Sequence, residues 1–276
     1  MLRTQVIQSH RQPLPAAWYQ PCIESVRDWS ERSGYDYQWL GDELFDLLPV
    51  DLRRKTAQQP VVASDMARLA AMRQALTSGY DRVVWFDADT LVIAPERLLL
   101  PAQDHVFGRE VWVQPSMRGT EKITADVSPD RLRVYDKIHN AFMCFSAGNP
   151  FLEFYLYAAQ RLVAGHQGPM VSQLVGPKFL ATLNNLLKLP VLESAAVLCP
   201  HVLQDLLQGS IAGAALQLFR RHTRVTPAAL NLCGSMVTDG SVDDADMTAL
   251  IERLSTDSAA MLALLEPLVS SESATH

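Results

Sequence analysis

Within a chain of 276 residues, the side chains best placed to do chemistry are Asp87 and Asp89. They lie in the run Val83-Val84-Trp85-Phe86-Asp87-Ala88-Asp89-Thr90-Leu91-Val92-Ile93. Apolar strand formers lead up to the two carboxylates, and an apolar run resumes after them. Side chains of a strand alternate between faces, so Asp87 and Asp89 are predicted to point the same way, with Ala88 turned back. Two like charges on one side repel unless something positive sits between them, and hard carboxylate oxygens suit Mg²⁺ or Mn²⁺. An ion held by one or two carboxylates and open on its other side is a site for substrate phosphates. The plain structural alternative is a solvated strand-to-loop turn, because Asp is common where strands end. A second pair, Asp65 and Arg68, stands three residues apart in a helical run, so the two side chains can meet on one face. As chemistry, the Asp could accept hydrogen bonds from a ligand while the Arg orients it. As structure, the pair is an N-cap aspartate and a surface ion pair.

The elements that must position these groups alternate between strand and helix. Leu2 to Ser9 reads as a first strand, with the turn-forming Gln12-Pro13-Leu14-Pro15 after it. Ala17 to Ser33 has helical spacing at Trp18, Cys22, Val26 and Trp29, and Gly34 stops it. Tyr35 to Leu40 alternates as a second strand, and Gly41-Asp42-Glu43 opens a short helix ending near Pro49. Ser64-Asp65 is predicted to cap a helix from Met66 to Leu76, closed by Gly79. The strand carrying Asp87 follows. Such alternation predicts an α/β domain with a mostly parallel sheet flanked by helices, with ligands outside the carboxyl ends of the strands.

Beyond that strand, Met117 to Asp136 is polar, charged and proline-containing, and is predicted to be a long loop. Its Arg118, Lys122, Arg131 and Arg133 could meet an anionic acceptor. Asn140 to Ser146 reads as a further strand and Pro150 to Val163 as a helix. From Pro169 onward an irregular helical portion is predicted, with an amphipathic helix from Asp244 to Leu268, broken near Ser258. This gives a domain over 1–240, a C-terminal helical segment over 241–269, and a disordered tail over 270–276.

Composition narrows the class. The apolar content of 48% supports a sizeable core, and a net charge of −6 gives no electrostatic case for a nucleic-acid partner. Cys22, Cys144, Cys199 and Cys233 have no metal-ligand spacing and read as small hydrophobes of a reducing compartment. No stretch reaches the roughly 18 apolar residues a membrane span needs, and Met1 to Ile7 lacks a signal-peptide core. The expectation is a cytoplasmic protein without an integral membrane span. Arg220-Arg221-His222-Thr223-Arg224 is the densest basic run, read as a solvated helix end or a contact for a phosphorylated acceptor or anionic lipid.

Two chemistries share the letters Phe86-Asp87-Ala88-Asp89-Thr90-Leu91-Val92. The run is similar to the opening motif of the haloacid-dehalogenase-like phosphatases, which implies Asp87 as a nucleophile beside Mg²⁺. That reading needs an acidic pair ending another strand, for which Asp243-Asp244-Ala245-Asp246 is the candidate. The chain also resembles the DXD-containing GT-A-fold glycosyltransferases. The closer resemblance is to the sugar-binding family of the yeast initiating mannosyltransferase and capsular-polysaccharide enzymes. Val6-Ile7-Gln8-Ser9-His10, Tyr35 to Asp42, Ala63-Ser64-Asp65-Met66-Ala67-Arg68, Asn140-Ala141-Phe142-Met143, Gly148-Asn149-Pro150-Phe151 and Val175-Gly176-Pro177 follow that family in order. Tyr80 to Trp85 instead resembles the glycogenin-like transferases, and the Gly-Gly-Xaa-Tyr run before the first Asp is missing.

This resemblance implies a GT-A, Rossmann-like fold and a metal-dependent, retaining hexosyltransferase that uses a nucleotide diphosphate sugar. Asp87 then works toward the ribose and metal-bound water, and Asp89 coordinates Mn²⁺ or Mg²⁺. Asp65 and Arg68 serve the donor sugar and diphosphate. Gln8, Ser9 and His10 fall where the family seats its base, Asn140 reaches a sugar hydroxyl, and Gly176-Pro177-Lys178 lies near the phosphates. The family's late metal-binding His has no clear match; Asn231, in Ala229 to Ser235, falls about where it should and is the stand-in third ligand. The acceptor could be a glycan, lipid, protein or small molecule. A catalytically silent GT-A-like binding module is the third reading.

Overall fold

The computed structural model describes residues 2–116 and 131–268. In chain order the strands are β1 Thr4–Ser9, β2 Asp36–Leu40, β3 Arg82–Phe86, β4 Thr90–Val92, β5 His105–Pro115, β6 Leu132–Ser146, β7 Val191–Val197 and β8 Ala229–Asn231. The helices are α1 Tyr19–Arg32, α2 Val50–Lys55, α3 Pro60–Thr77, α4 Pro150–Gly165, α5 Pro177–Leu187, α6 Pro200–Gln208, α7 Ala214–His222, α8 Ser235–Thr238, α9 Asp244–Thr256 and α10 Ser258–Leu265. The fold class is α/β, as the alternating pattern predicts. The chain divides into two compact units: Met1–Thr90, Leu99–Gly108 and Ile138–Leu192 form the first, and Leu91–Leu98, Arg109–Lys137 and Glu193–His276 the second.

In the first unit β1 pairs in parallel with both β2 and β3, and β3 pairs antiparallel with β6. The register sets Ile7 beside Trp85 and Ser9 beside Leu40, so the carboxyl ends of β1, β2 and β3 lie level. Strand β3 is buried on both faces, which explains its unbroken apolar sequence. Val83 and Trp85 join the core built by α3, whose Val62, Met66, Leu69 and Met72 are fully covered. Phe86 faces the other way, edge-on to Trp29 of α1 at 5.5 Å and to Phe142 at 5.0 Å. Gly34, at φ 71, turns the chain out of α1 in the left-handed region that other residues avoid.

In the second unit β7 pairs in parallel with β8, where Ala195 opposes Ala229. Arg109 on β5 is buried and makes a bidentate pair with Glu193 on β7, both bonds at 2.8 Å, and a bond to Asp136 on β6 at 2.5 Å. Helix α9 is capped by Asp243, whose side chain accepts from the Asp246 N–H at 2.8 Å. Arg220 in α7 is buried and donates to the Glu266 carbonyl at 2.7 Å. The basic run is therefore partly tied into its own unit rather than wholly solvated.

Several expectations are corrected. Strands β7 and β8 interrupt the short helices of the stretch expected to be irregular and helical: Glu193-Ser194 breaks one apolar run, and the other strand is only three residues long. The loop expected from Met117 to Asp136 ends early, because Leu132–Asp136 already belongs to β6. Its residues 117–130, with Arg118 and Lys122, lie outside the described residues, as does the tail 270–276. Helix α2 was not foreseen; the C-terminal helix does break beside Ser258 as expected, α9 and α10 parting at Asp257. Among the described residues none of the four cysteines forms a disulfide, and no helix is long and apolar enough to cross a membrane.

Helix α4 gives a local test of the fold. Asn149 caps it, accepting from the N–H groups of Phe151 at 2.9 Å and Leu152 at 3.3 Å. Asn149→Ala is expected to lower unfolding free energy by about 1 kcal/mol in urea melts. An unchanged midpoint would show that the cap does not stabilise α4.

Candidate active site

Asp87 is the first residue beyond β3, and the chain turns at once, the Thr90 N–H donating to the Asp87 carbonyl at 3.0 Å. Asp87 and Asp89 thus sit in a tight turn between β3 and β4, not along one strand, and the alternation expected of them does not apply. The turn is held from below. The Asp87 N–H donates to the Ala141 carbonyl at 2.9 Å, and the Gln8 amide donates to the Asp87 carbonyl at 3.2 Å. Tyr37 in turn donates its hydroxyl to Gln8 Oε1 at 3.0 Å. Gln8 is fully buried, so it braces the turn from within. Asp89 is half-buried in the same turn.

The predicted Asp65–Arg68 pair forms, but the cap reading of Asp65 is wrong. Helix α3 starts at Pro60, a residue suited to the first helical position because its missing N–H would have no partner there. Asp65 is therefore inside the helix, and it is buried. Its Oδ1 accepts from Asn140 Nδ2 at 2.8 Å and lies 3.4 Å from Arg68 Nη2. Arg68 also reaches Asp87 Oδ1 through Nη1 at 2.9 Å and donates to the Asn140 carbonyl at 2.9 Å. Its guanidinium lies over the Trp85 ring, 5.2 Å from the centroid. Asn140 stands in the interior of β6 rather than opening a strand.

Gly176 completes this cluster by having no side chain. A Cβ there would lie 2.5 Å from Asp65 Oδ2 and 3.1 Å from Asn140 Nδ2. Gly176 ends a turn before α5, Pro177 is the first residue of that helix, and Lys178 is exposed. The sequence thus brings Asp65, Arg68, Asp87, Asn140 and Gly176 together. Asn231 belongs to the second unit, buried in β8 with its Oδ1 accepting from the Cys233 N–H at 3.0 Å.

Charge follows from this packing. Burial pushes the Asp65 carboxyl up from 3.8 to about 6; Arg68 and the Asn140 hydrogen bond oppose the rise, and Asp87 adds to it. For Arg68, burial works against the charge, but Asp87 and Asp65 outweigh it and raise the guanidinium above its usual value. Beside the cluster opens a cavity of about 360 Å³, at the level carboxyl ends of β1 and β2. Ser9, His10 and Arg68 line it with Ser64, and Leu44 and Phe45 form part of an apolar wall. Among the described residues His10 Nδ1 is buried without a hydrogen-bond partner, and burial lowers the ring's pKa.

Residues that sequence reasoning passed over include Trp85, whose indole Nε1 donates to Asp87 Oδ1 at 2.7 Å. The signal was present: a residue two before Asp87 at a strand end shares its face. Tyr37, Phe45 and Arg11, which also lines the cavity, had no such marker. The acidic run at Asp243 caps α9 rather than ending a strand. Among the described residues no group of three or more His, Cys, Asp or Glu could hold a metal ion.

No protein-family model matches the sequence. No curated protein matches it either. One solved structure, of a glycosyltransferase involved in the glycosylation of the major capsid of PBCV-1, is similar over 92% of this chain and 100% of that chain, with a TM-score of 0.45 at 10% identity.

The buried Asp65 carboxyl makes stability depend on pH. Its folded pKa lies above its unfolded one, so between about pH 4 and pH 6 the native state holds the extra proton. Stability from this group is full below that window and is lost as pH rises through it. Asp65→Asn has no such group. The stability of wild type relative to Asp65→Asn is expected to fall from pH 4 to pH 7, by roughly 1.4 kcal/mol for each unit of the shift. A difference that stays flat across this range in urea melts would contradict the buried, elevated carboxyl.

Proposed function

We propose that this chain is a metal-dependent glycosyltransferase of GT-A type that uses a nucleotide diphosphate sugar. One observation carries the reading: the Asp87–Asp89 turn ends β3 level with the cavity at β1 and β2, and Arg68 joins the two, lining the cavity and pairing with Asp87. An α/β sheet binds ligands at such strand ends. The donor set fits a hard cation. Asp87 uses Oδ1 on Arg68 and Trp85, which leaves Oδ2 for a ligand, and Asp89 offers a second carboxylate from the same turn. Mg²⁺ and Mn²⁺ sites of one or two carboxylates completed by substrate phosphates and water are common. When bound there, the cation would offset the charge of the diphosphate.

The chain's own groups divide the remaining work. The cavity beside Ser9 and His10 seats the nucleoside, with its apolar wall against the base. Asp87 Oδ2 serves the ribose and metal-bound water, and Asp89 is the direct ligand. Arg68 keeps Asp87 ionised and aimed, and presents its positive charge to the leaving diphosphate. Asp65 and Asn140 hold the donor sugar by its hydroxyls, and bare Gly176 leaves room beside them. Pro177 and Lys178 begin the helix near the phosphates.

Retention, as the family resemblance implies, follows attack from the leaving-group side. The acceptor oxygen bonds to the anomeric carbon as the bond to phosphate breaks. The departing phosphate oxygen keeps that electron pair and takes the acceptor's proton, so no separate carboxylate base is needed. Catalysis is then mostly positioning and charge stabilisation.

The test is hydrolysis of a panel of nucleotide sugars with Mn²⁺, since water can replace the acceptor. Wild type is expected to hydrolyse at least one donor. Asp89→Ala is expected to lose at least about a hundredfold in turnover, ~2.7 kcal/mol of barrier. Undiminished Mn²⁺-dependent hydrolysis in Asp89→Ala would overturn the site. Inactivity toward the whole panel with intact donor binding would favour a binding module. Phosphate release from a simple phosphomonoester, with an aspartyl adduct at Asp87, would favour the phosphatase.

A further inference from the structure

The indole of Trp85 does more than fill the core. The ring is buried, 1% exposed, between α3 and the end of β3. A buried indole N–H must find an acceptor, and a backbone carbonyl would serve. Here it is spent on the carboxylate of Asp87, at 2.7 Å. Arg68 Nη1 meets the same oxygen at 2.9 Å while its guanidinium lies over the indole face. Two donors converging on Oδ1 fix both side-chain torsions of Asp87 and hold the other oxygen outward. The main chain is fixed independently, since Gln8 and Ala141 hold the Asp87 carbonyl and N–H.

Arg68 alone would not give this constraint. Its guanidinium is shared among Asp65, Asp87 and the Asn140 carbonyl, so a bound diphosphate would compete with Asp87 for it. The indole is carried on a rigid central strand and has no other acceptor to follow. It therefore keeps Asp87 aimed when a ligand competes for Arg68.

We propose that Trp85 is a positioning residue: its indole N–H orients Asp87 so that Oδ2 meets the ribose and the metal-bound water of a nucleoside diphosphate complex. This rests on the reading of the site as one for a nucleotide diphosphate sugar. The indole is a neutral donor within a buried cluster, so its loss leaves Arg68 paired and the fold's charge balance unchanged.

The experiment is a double-mutant cycle read by calorimetric binding of Mn²⁺ with UDP or GDP. Trp85→Phe keeps an aromatic ring and removes the donor. It is expected to raise the dissociation constant about tenfold in the wild-type background. In an Asp87→Ala background the same change is expected to move it less than about twofold, because the acceptor of the indole N–H is already gone. A ring that merely packs under Arg68 would cost the same in both backgrounds, and equal losses would overturn the proposal. So would no loss in either. Replacing Trp85 by 3-benzothienylalanine, which keeps the bicyclic shape without the N–H, gives the same reading should Trp85→Phe fail to fold. Wild type that binds neither nucleotide with Mn²⁺ would overturn both this inference and the proposed function. Wild type that binds, with no coupling in the cycle, would overturn this inference alone.

Discussion

The first unit is organised around one buried cation. Arg68 projects from α3, and removing a guanidinium from water costs several kcal/mol unless it is paired and hydrogen-bonded. Asp65, Asp87 and the Asn140 carbonyl pair with its two terminal nitrogens from three separate elements. The cluster therefore ties helix α3, the end of β3 and the middle of β6 together. It also contains more negative charge than positive, before Asp89 is added. On the proposed reading, that excess would be offset when cation and phosphate bind together.

That constraint accounts for details that otherwise have no common cause. Gly176 cannot be larger, because any side chain would enter the space of the Asp65 carboxylate. Trp85 can be a tryptophan on a central strand because its N–H has a partner. Gln8 is buried, with its amide engaged at both ends, by the carbonyl of Asp87 and the hydroxyl of Tyr37. The parallel register of β1, β2 and β3 brings the cavity residues Ser9 and His10 level with the carboxylate turn. Sheet topology, side-chain packing and the candidate chemistry converge on one end of these strands.

Much of this was legible in the residues. The unbroken apolar run before Asp87 marked a strand buried on both faces, and the three-residue spacing of Asp65 and Arg68 placed them together. The first strand, α1, the second strand, β3 and α4 lie where spacing predicts. What was not legible has physical reasons. Ser64-Asp65 has the chemistry of a helix cap, yet tertiary packing extends α3 back to Pro60 and buries the aspartate. Asp87 and Asp89 alternate as strand residues would, but a tight turn occupies those same positions. Strands β7 and β8 are too short or too polar at their centres to show a period of two. Arg109, with its carboxylate partners on β6 and β7, gave no sign because those strands are far apart in sequence.

The most direct measurement is a crystal structure of the chain with Mn²⁺ and a nucleoside diphosphate, using the anomalous signal of manganese to locate the ion. The expected result is an ion bound by Asp89 and beside Asp87 Oδ2, with the diphosphate near Arg68 and the nucleoside in the cavity by Ser9 and His10. Manganese bound elsewhere, or a nucleotide seated away from the Asp87–Asp89 turn, would contradict the assignment of this cluster as the active site.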